Sequence, residues 1–313
     1  MKIQSAIVNG SLGTIGLALI KRLLEQGVEK VYAVAYPEDD PRIGRIPEGA
    51  VVVPCDMREI GKLKEMIPAP VDAFFQLAWM GPIGEGRNDM LLQTENIRCA
   101  IEAVHTAREL GCQVYVGVGS QAEYGRIEGK VTADAPCFPL TGYGMAKLCA
   151  GEMTRVVCSQ VGMRHEWARV LSVFGANDGP LSVISVLLDK LTKGEKPALT
   201  PGEQLWDYLY ADDAADALIC MAASGQDGKI YPVGSGTCRP LREYFEILRD
   251  SIDPALPLGI GEIPYPPNQV MHLEADISEL QKDTGFCPKV RFEDAAKIVA
   301  EEYLKRAVGT NCV

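Results

Sequence analysis

Apolar runs with strand character alternate with helix-period segments over the first two-thirds of the chain. We expect strands at residues 3–8, 31–35, 51–53, 73–77, 114–118 and 167–170, separated by helices at residues 14–26, 60–66, 90–110 and 144–161. Gly27, Gly111 and Gly162 follow three of these helices, where a left-handed C-terminal residue favours glycine because it has no Cβ. The alternation predicts a doubly wound parallel α/β sheet with helices on both faces.

The pattern changes after Phe174, where proline and glycine become frequent. Short helices are predicted at residues 181–192, 241–250 and 292–305, between brief strands, which indicates a smaller mixed α/β lobe. Residues 206–223 return to a strand followed by a helix, and we expect them to rejoin the large sheet. We therefore expect residues 1–173 plus 204–223 to form the sheet domain, and residues 174–203 plus 224–313 to form the C-terminal lobe.

Composition and charge narrow the class of protein. The 313 residues are 47% hydrophobic and 23% charged, which is enough to bury a large core. The net charge of −11 repels nucleic acid and anionic membranes, and no apolar run approaches the roughly 20 residues of a membrane-spanning helix. Ten cysteines are scattered without a CxxC pair, and the N-terminus lacks the features of a secretion signal. We expect a cytoplasmic protein with reduced thiols that binds neither nucleic acid nor membranes.

No metal site is expected from the sequence. The three histidines, His105, His165 and His272, lie far apart in the chain, and no Cys/His spacing suits zinc. His105 falls inside a predicted helix and His165 near a predicted strand start, so structural roles are expected for both.

A glycine loop lies directly between the first predicted strand and the first predicted helix. Gly10 permits a tight turn, Gly13 lets the backbone approach a pyrophosphate, and Gly16 lets helix and strand pack closely. The amide groups of the helix N-terminus, at Thr14 and Ile15, would bind the negative charge. A glycine triplet can also be an ordinary strand–helix turn, but its place after a strand and before a helix favours dinucleotide binding.

Two further parts of the chain concern the dinucleotide: one its adenine, the other the choice between NAD and NADP. Asp56, after the third strand, is placed to accept a hydrogen bond from an adenine amino group, with a helix N-cap as the competing role. The end of the second strand, residues 33–37, shows neither the carboxylate typical of NAD binding nor the arginine typical of NADP binding. Glu38, Asp39 and Arg42 follow closely enough to supply either chemistry, so NAD and NADP both stay open.

Tyr143 and Lys147 are four residues apart, which places them on one face of a helix about one turn apart. A tyrosine with a pKa near ~10 is too weak an acid for neutral pH, and a neighbouring cation favours its phenolate. Ser120 follows a buried strand and offers a hydroxyl for a substrate oxygen. A YxxxK match alone is common by chance, but its place after the glycine loop, Asp56 and Ser120, in that order, makes a chance match less credible.

With these motifs in place, the chain resembles the extended short-chain dehydrogenase/reductases, the NAD-dependent epimerase/dehydratase family, over nearly all of its length. The motifs that carry the resemblance are Gly10-x-x-Gly13-x-x-Gly16, Asp56-Met57, Gln76-Leu77-Ala78, Asn96, Ser120 with Tyr124-Gly125, Tyr143-x-x-x-Lys147 and Asp207-Tyr208-Leu209-Tyr210-Ala211-Asp212-Asp213. The resemblance implies a Rossmann domain that holds NAD or NADP, a C-terminal lobe that holds a nucleotide-linked sugar, and a homodimer.

The resemblance also implies roles for individual residues. Tyr143 would be the acid/base on a sugar hydroxyl or ketone, Ser120 would hold that oxygen, and Lys147 would bind the nicotinamide ribose and tune Tyr143. The remaining cofactor contacts would come from the glycine loop and from four further positions, namely Met57, Leu77, Ala78 and Asn96.

Departures from the family pattern narrow the reaction. Sugar-nucleotide 4,6-dehydratases carry an Asp-Glu pair directly after the serine or threonine, because loss of water needs an additional acid and base. Here Gln121 and Ala122 occupy those positions, so dehydration is not expected. Glu123 is one position further and would face the other side of an extended stretch.

The arginines with which UDP-sugar 4-epimerases grip the diphosphate are missing at both expected places. Trp206 precedes the Asp-Tyr motif, and residues 266–269 have no arginine. We consider Arg239, with His272 behind it, as the replacement, although a surface arginine in a turn is an equally good interpretation. Trp206 and Trp79 could stack on a base or sugar, or simply pack in the core. Ser172 and Gln121 complete the predicted substrate contacts.

The sequence therefore predicts an NAD(P)-dependent enzyme that moves a hydride at a carbinol carbon, most simply C4, of a nucleotide-linked sugar. Both a 4-epimerase and a 4-ketoreductase fit, and the Trp-Asp-Tyr variant bears a looser resemblance to CDP-sugar 4-ketoreductases. Two alternatives stay open. One is a reductase of a small ketone without a diphosphate, and the other is a non-catalytic NAD(P)-sensing protein on the same fold.

Overall fold

The computed structural model describes residues 1–37, 39–267 and 269–310, with the side chains of residues 307–310 left out. Three residues that belong to the segments and cysteines considered above lie outside the described residues, namely Glu38, Asn268 and Cys312. The nine cysteines in the described ranges are free thiols.

The strands, in chain order, are β1 (Ser5–Asn9), β2 (Lys30–Ala35), β3 (Val51–Pro54), β4 (Ala73–Gln76), β5 (Val114–Ser120), β6 (Gly129–Val131), β7 (Arg164–Val170), β8 (Ser172–Phe174), β9 (Ala198–Leu199), β10 (Leu205–Trp206), β11 (Tyr208–Tyr210), β12 (Lys229–Val233), β13 (Arg239–Pro240), β14 (Gly259–Ile260) and β15 (His272–Ala275). The α-helices are α1 (Thr14–Glu25), α2 (Leu63–Met66), α3 (Met90–Glu109), α4 (Gly142–Val161), α5 (Val183–Thr192), α6 (Ala211–Ser224), α7 (Leu241–Asp250), α8 (Ser278–Thr284) and α9 (Phe292–Thr310).

Seven strands form the central sheet in the order β12-β7-β5-β4-β1-β2-β3, and every neighbouring pair is parallel. One hydrophobic core joins this sheet to α1, α6 and α8, and a second joins the opposite face to α2, α3 and α4. This is the doubly wound arrangement, so the predicted Rossmann α/β class is confirmed. The six strands expected from the sequence lie within a few residues of their predicted bounds.

The C-terminal lobe has its own core. Helices α5, α7 and α9 pack against the aromatic residues of β8 and β11, with Phe174, Tyr244 and Phe292 at the centre. A four-stranded sheet in the order β13-β10-β15-β6 lies beside it. The expected mixed α/β lobe is therefore present, with more strands than the sequence indicates.

One placement from the sequence is wrong. The strand of the 206–223 segment, β11, pairs with β8 in a separate two-stranded sheet and does not join the large sheet. The seventh strand of the large sheet is instead β12, which pairs with β7 and was not expected. The helix of that segment, α6, does pack against α1 on the large sheet. The division of the chain into two domains stays a prediction.

No helix in the described part of the chain is long and apolar enough to cross a bilayer. The homodimer and the cytoplasmic location stay predictions.

Asp207 connects the second lobe to the end of β12. Its side chain is fully buried, and its carboxylate accepts hydrogen bonds from the backbone N–H groups of Ser235 at 2.8 Å, Gly236 at 3.1 Å and Ala275 at 3.0 Å. A carboxylate can accept all three bonds because it carries two acceptor oxygens. One side chain thus fixes the turn after β12 against β15.

We predict that Asp207→Asn lowers the free energy of unfolding by about 2–4 kcal/mol, because the amide nitrogen replaces one acceptor oxygen and leaves buried N–H groups unpaired. The measurement is chemical denaturation of both proteins. The matched control is Asp212→Asn, which breaks the exposed pair with Lys21 and should cost about 1 kcal/mol or less. Equal losses in the two variants would contradict the anchoring role.

Candidate active site

A cavity of about 620 Å³ opens at the carboxyl ends of the central strands. Its wall runs from the loop after β1, past the ends of β2, β4 and β5, to the first turns of α4. We call it the first cavity. In an open parallel sheet, ligands bind in the crevice where the strand order reverses, and here the reversal lies between β1 and β4.

The glycine loop shapes one end of the first cavity. Gly10 has φ of +94°, and a Cβ there would lie 2.4 Å from the backbone nitrogen of Ala78. At Gly16 a Cβ would lie 2.2 Å from the carbonyl oxygen of Gly10, so helix and strand pack as closely as the sequence predicts. At Gly13 the nearest atom to a Cβ is 3.7 Å away, and no side chain caps the helix that begins there. The N-terminus of α1 is therefore open to an anion.

Of the other predicted cofactor contacts near the loop, some line the first cavity and one does not. Ile15, Leu77 and Ala78 line the first cavity, as expected. Thr14 does not; its hydroxyl donates to the carbonyl of Asn177 at 2.9 Å, in a neighbouring cavity. The backbone of Thr14 still belongs to the first turn of α1, so only its side chain is committed elsewhere.

Asn96 lies behind the cavity wall. It is fully buried, its Oδ1 accepts from the N–H of Met80 at 2.8 Å, and its Nδ2 donates to the carbonyl of Met80 at 2.9 Å. Both ends of the Asn96 amide are thus already hydrogen-bonded, and the expected direct cofactor contact stays a prediction. Asn96 instead holds the loop after β4 in place.

Asp56 is the N-cap of a short 3-10 helix at Met57–Lys62. Its carboxylate accepts from the Arg58 N–H at 2.9 Å and from the Arg58 guanidinium, which lowers its pKa. The N-cap role expected for Asp56 is therefore confirmed. Asp56 and Met57 also line the first cavity, so an adenine contact by either stays a prediction.

Two arginines on the wall of the first cavity concern the choice between NAD and NADP. Arg42 donates to Asp40 at 2.9 Å through Nε, and Arg58 is held by Asp56 in the same way. Each guanidinium thus already has a carboxylate partner two residues away. The geometry leaves both dinucleotides open.

Ser120, Tyr143 and Lys147 all line the first cavity. Ser120 ends β5, and the other two lie on the first turns of α4, whose N-cap Thr141 accepts from the N–H of Gly144 at 3.1 Å. Burial raises the pKa of Tyr143, while the Ser120 hydroxyl and the nearby positive charge of Arg87 oppose that shift.

Lys147 is buried, and its ammonium contacts three groups. Nζ donates to the carbonyl of Val118 at 2.6 Å and lies 3.9 Å from the ring centre of Trp79 and 5.9 Å from that of Tyr143. Burial lowers its pKa to about 7 because the ammonium loses water and gains no carboxylate in direct contact. Trp79, expected to contact substrate or to pack in the core, here covers the lysine and donates to Gln93 at 2.8 Å.

Arg87 was not expected from the sequence. Its guanidinium lies 4.5 Å from the ring centre of Tyr143 and donates to the carbonyl of Pro82 at 2.8 Å. It belongs to a 3-10 turn at Glu85–Asn88, and no motif marks it. Its positive charge favours the phenolate of Tyr143.

Glu123 faces away from the first cavity, as expected, but on a 3-10 turn rather than an extended stretch. It is fully buried, accepts from the N–H of Ser120 at 2.7 Å, and pairs with Arg169 at 2.7 Å. Gln121, one of the predicted substrate contacts, is half-buried, and its Oε1 lacks a hydrogen-bond partner among the described residues.

A second cavity, of about 550 Å³, lies between α5, α7 and β10, and its wall is mostly apolar. Ser172 and Trp206 line it, and the Trp206 indole donates to the Ser172 hydroxyl at 2.8 Å. Leu171 lines the first cavity and the next residue, Ser172, lines the second. Ser172 and Trp206 therefore share the wall of the second cavity, whereas Ser120 and Tyr143 line the first.

Gln204 is a polar residue of the second cavity that the sequence does not reveal. It is 4% exposed, and its Oε1 has no hydrogen-bond partner among the described residues. Lys190 is the single cation among the described residues that line this cavity. A buried acceptor without a partner is uncommon in native proteins and suits a ligand donor.

Arg239 does not line either cavity within the described part of their walls. Its guanidinium donates to Glu293 at 2.7 Å and lies 5.3 Å from the ring centre of Tyr244. Arg239 thus lies away from both cavities and already has a carboxylate partner, and its role as the replacement for the diphosphate arginines stays a prediction.

Comparison with known proteins agrees with this geometry. The model of the NAD dependent epimerase/dehydratase family matches residues 6–234. A dTDP-6-deoxy-L-talose 4-dehydrogenase (NAD(P)(+)) from Kitasatospora kifunensis is 25% identical over 93% of this chain and 92% of its own. A dTDP-glucose 4,6-dehydratase from Xanthomonas campestris pv. campestris (strain B100) is 24% identical over 61% of this chain, and the match spans 57% of its length.

Among solved structures, the UDP-N-acetylglucosamine 4-epimerase from Methanobrevibacter ruminantium M1 superposes with a TM-score of 0.85 at 21% identity, covering 98% of this chain and 100% of its own. That likeness supports the fold. The expected cofactor, NAD or NADP, is confirmed at the level of the family, whose description names NAD. The family model covers well over half of the residues and includes the glycine loop, Ser120, Tyr143 and Lys147, so the chain belongs to the NAD dependent epimerase/dehydratase family.

Proposed function

We propose that this protein is an NAD(P)-dependent oxidoreductase that acts at a carbinol carbon, most simply C4, of a nucleotide-linked sugar, as a 4-epimerase or a 4-ketoreductase. The observation that carries the proposal is the meeting of Ser120, Tyr143 and Lys147 on the wall of the cavity that begins at the glycine loop.

The residues of the first cavity fit a dinucleotide. The uncapped N-terminus of α1, with open space above Gly13, suits a pyrophosphate, and the far end of the cavity reaches Asp56 and Met57. Lys147 lies at the end where a nicotinamide ribose would be bound. A bound nicotinamide supplies the acceptor and donor of hydride.

The protein's own groups handle the proton and the oxygen. In the oxidising direction the Tyr143 phenolate accepts the proton of the sugar hydroxyl, and in the reducing direction the phenol returns it to the carbonyl oxygen. Ser120 holds that oxygen by a hydrogen bond. Arg87 and Lys147 favour the phenolate, because each brings positive charge within 6 Å of the Tyr143 ring centre.

Dehydration is not part of the proposal, although some relatives are named 4,6-dehydratases. Loss of water needs an acid and a base beyond the tyrosine. Gln121 and Ala122 cannot supply them, and the carboxylate of Glu123 is committed to Arg169 behind the cavity.

A second candidate function rests on the second cavity. Its wall is mostly apolar and offers Lys190 as the single cation among its described residues, which favours a small ketone without a diphosphate. Titration calorimetry with UDP, CDP and dTDP distinguishes the two candidates. Binding of one nucleotide supports the sugar-nucleotide substrate, and binding of none supports the small ketone.

The epimerase and the ketoreductase differ in how they use the cofactor. An epimerase returns the hydride to the opposite face and recycles its own NAD, whereas a ketoreductase stops after one transfer and exchanges its cofactor. Mass identification of whatever the purified protein releases separates them. Retained NAD supports the epimerase, and a site that accepts added NADPH supports the ketoreductase.

We predict that Tyr143→Phe lowers turnover by ~10²-fold or more while cofactor binding is kept, because the variant loses only the acid/base hydroxyl. Steady-state kinetics with the substrate found by calorimetry measure this. Tyr303→Phe, which removes a hydroxyl in the C-terminal lobe, is the matched control. Parent-like turnover in Tyr143→Phe would rule out the mechanism.

The free energy of unfolding should depend on pH through Lys147. The pKa of Lys147 is lowered to about 7 in the folded protein, whereas a lysine in the unfolded chain titrates near ~10.4. Between these values the unfolded chain binds more protons, so folding becomes more favourable as pH rises. From about pH 7 to about pH 9, the free energy of unfolding of the parent should rise relative to that of Lys147→Met by up to about 1.4 kcal/mol per pH unit.

Urea denaturation of both proteins at several pH values measures this difference. Lys282→Met, at an exposed lysine, should run parallel to the parent. A constant difference between the parent and Lys147→Met would show that Lys147 stays protonated throughout.

Gln204 is expected to contribute to substrate affinity. Gln204→Leu removes a buried acceptor that no described group satisfies, so we predict unchanged or higher thermal stability. We also expect the KM for the substrate to rise about 3- to 10-fold with little change in kcat. A rise of that size corresponds to the loss of one hydrogen bond to the substrate. A KM equal to that of the parent would remove Gln204 from the substrate site.

A further inference from the structure

Three metal-ligating side chains meet at the four-stranded sheet of the C-terminal lobe. His272 and Glu274 are two residues apart on β15 and therefore share a face of the strand. Cys238 directly precedes β13, which lies on the other side of β10. The sequence conceals this cluster, because Cys238 and His272 are 34 positions apart.

The donor atoms approach one another closely. The Cys238 Sγ lies 3.5 Å from the His272 Nε2 and 3.2 Å from the Glu274 Oε2, and that Nε2 and Oε2 are 3.3 Å apart. Zinc binds sulfur at about 2.3 Å and nitrogen or oxygen at about 2.0–2.1 Å, so the edges of its tetrahedron are about 3.3–3.6 Å long. The observed separations are close to those edges.

The arrangement is that of a ligand set rather than a catalytic relay. In a Cys-His-carboxylate relay the thiol and the carboxylate contact different nitrogens of the imidazole ring. Here both approach the same Nε2. Three donor atoms that face one another are suited to a shared ion.

The surroundings complete such a site. Lys130 contacts the Oε1 of Glu274 at 3.4 Å, which orients the carboxylate and leaves Oε2 directed at the other two donors. The three residues are half-buried, so one side stays open to a water ligand. A thiolate with an imidazole selects Zn²⁺ over Mg²⁺ or Ca²⁺.

We propose that Cys238, His272 and Glu274 bind one zinc-type divalent cation, with water as the fourth ligand. The ion would join β13 to β15 across β10, in which Leu205 pairs with His272 and Trp206 with Arg239. It would thereby brace the strand that presents Trp206 to the second cavity. The proposal does not depend on the reaction that the protein catalyses.

The test uses the untagged full-length protein after treatment with a chelator. Titration with Co²⁺ should give a thiolate-to-cobalt charge-transfer band that saturates at one ion per chain, and Zn²⁺ should abolish the band. Added Zn²⁺ should also raise the midpoint of thermal unfolding, because an ion that binds only the folded chain stabilises it.

Cys238→Ser should lose the charge-transfer band and bind Zn²⁺ at least ~100-fold more weakly, since it removes a primary ligand. The matched control is Cys287→Ser, which removes an exposed free thiol of the same lobe and should bind as the parent does. Absence of a saturable cobalt band in the parent overturns the proposal even if Cys238→Ser fails to fold. So does a band that Cys287→Ser abolishes and Cys238→Ser retains.

Discussion

The end of the sheet that carries Ser120 depends on one buried ion pair, between Glu123 and Arg169. The two side chains are 0% and 3% exposed, and 2.7 Å separates their nearest charged atoms. Glu123 also accepts from the N–H of Ser120 and from the indole of Trp167, so its carboxylate links the end of β5 to β7. Gly119 is required beside it, because a Cβ there would lie 2.2 Å from the Glu123 carboxylate. Removing either partner would leave a buried charge alone, which typically costs about 3–5 kcal/mol.

Near that pair lies a buried lysine, Lys147, whose charged form is disfavoured by the loss of water around it. Lys147 has a carbonyl and two aromatic rings as neighbours, and its pKa falls to about 7. Burial of this charge costs stability, and it provides a group whose charge responds to what binds next to it. Under the proposed function, that group would lie beside Tyr143, the proposed acid/base, and its charge would favour the phenolate.

Much of the fold could be predicted because it follows from local patterns. Apolar runs predict the inner strands, and glycines end the helices. Strand β12, Lys229–Val233, contains Pro232, and its sequence alone does not indicate a place in the large sheet. Proline lacks the N–H of a sheet ladder, but β12 lies at the edge of the sheet, where a missing donor is tolerated.

Motifs predict Ser120, Tyr143 and Lys147 as site residues, and the structure places all three on the wall of the first cavity. No motif marks the residues whose contacts are with partners distant in sequence. Arg87 acts through a ring contact with Tyr143, and Arg239 is taken by Glu293, 54 positions later. No spacing rule reveals either pairing, because only the tertiary fold creates it.

The net charge of −11 makes anion binding the central electrostatic problem of this protein. The arginines that line the first cavity are paired with neighbouring carboxylates, and the described wall of the second cavity offers only Lys190 as a cation. In the first cavity, the uncapped N-terminus of α1 presents backbone dipoles that, under the proposed function, would be the main contact for phosphate. In the second, Ser182 already caps α5, so the polar groups left for a ligand on the described wall include Trp206, Gln204 and that lysine. A substrate held by these groups would be selected by shape and hydrogen bonding more than by charge.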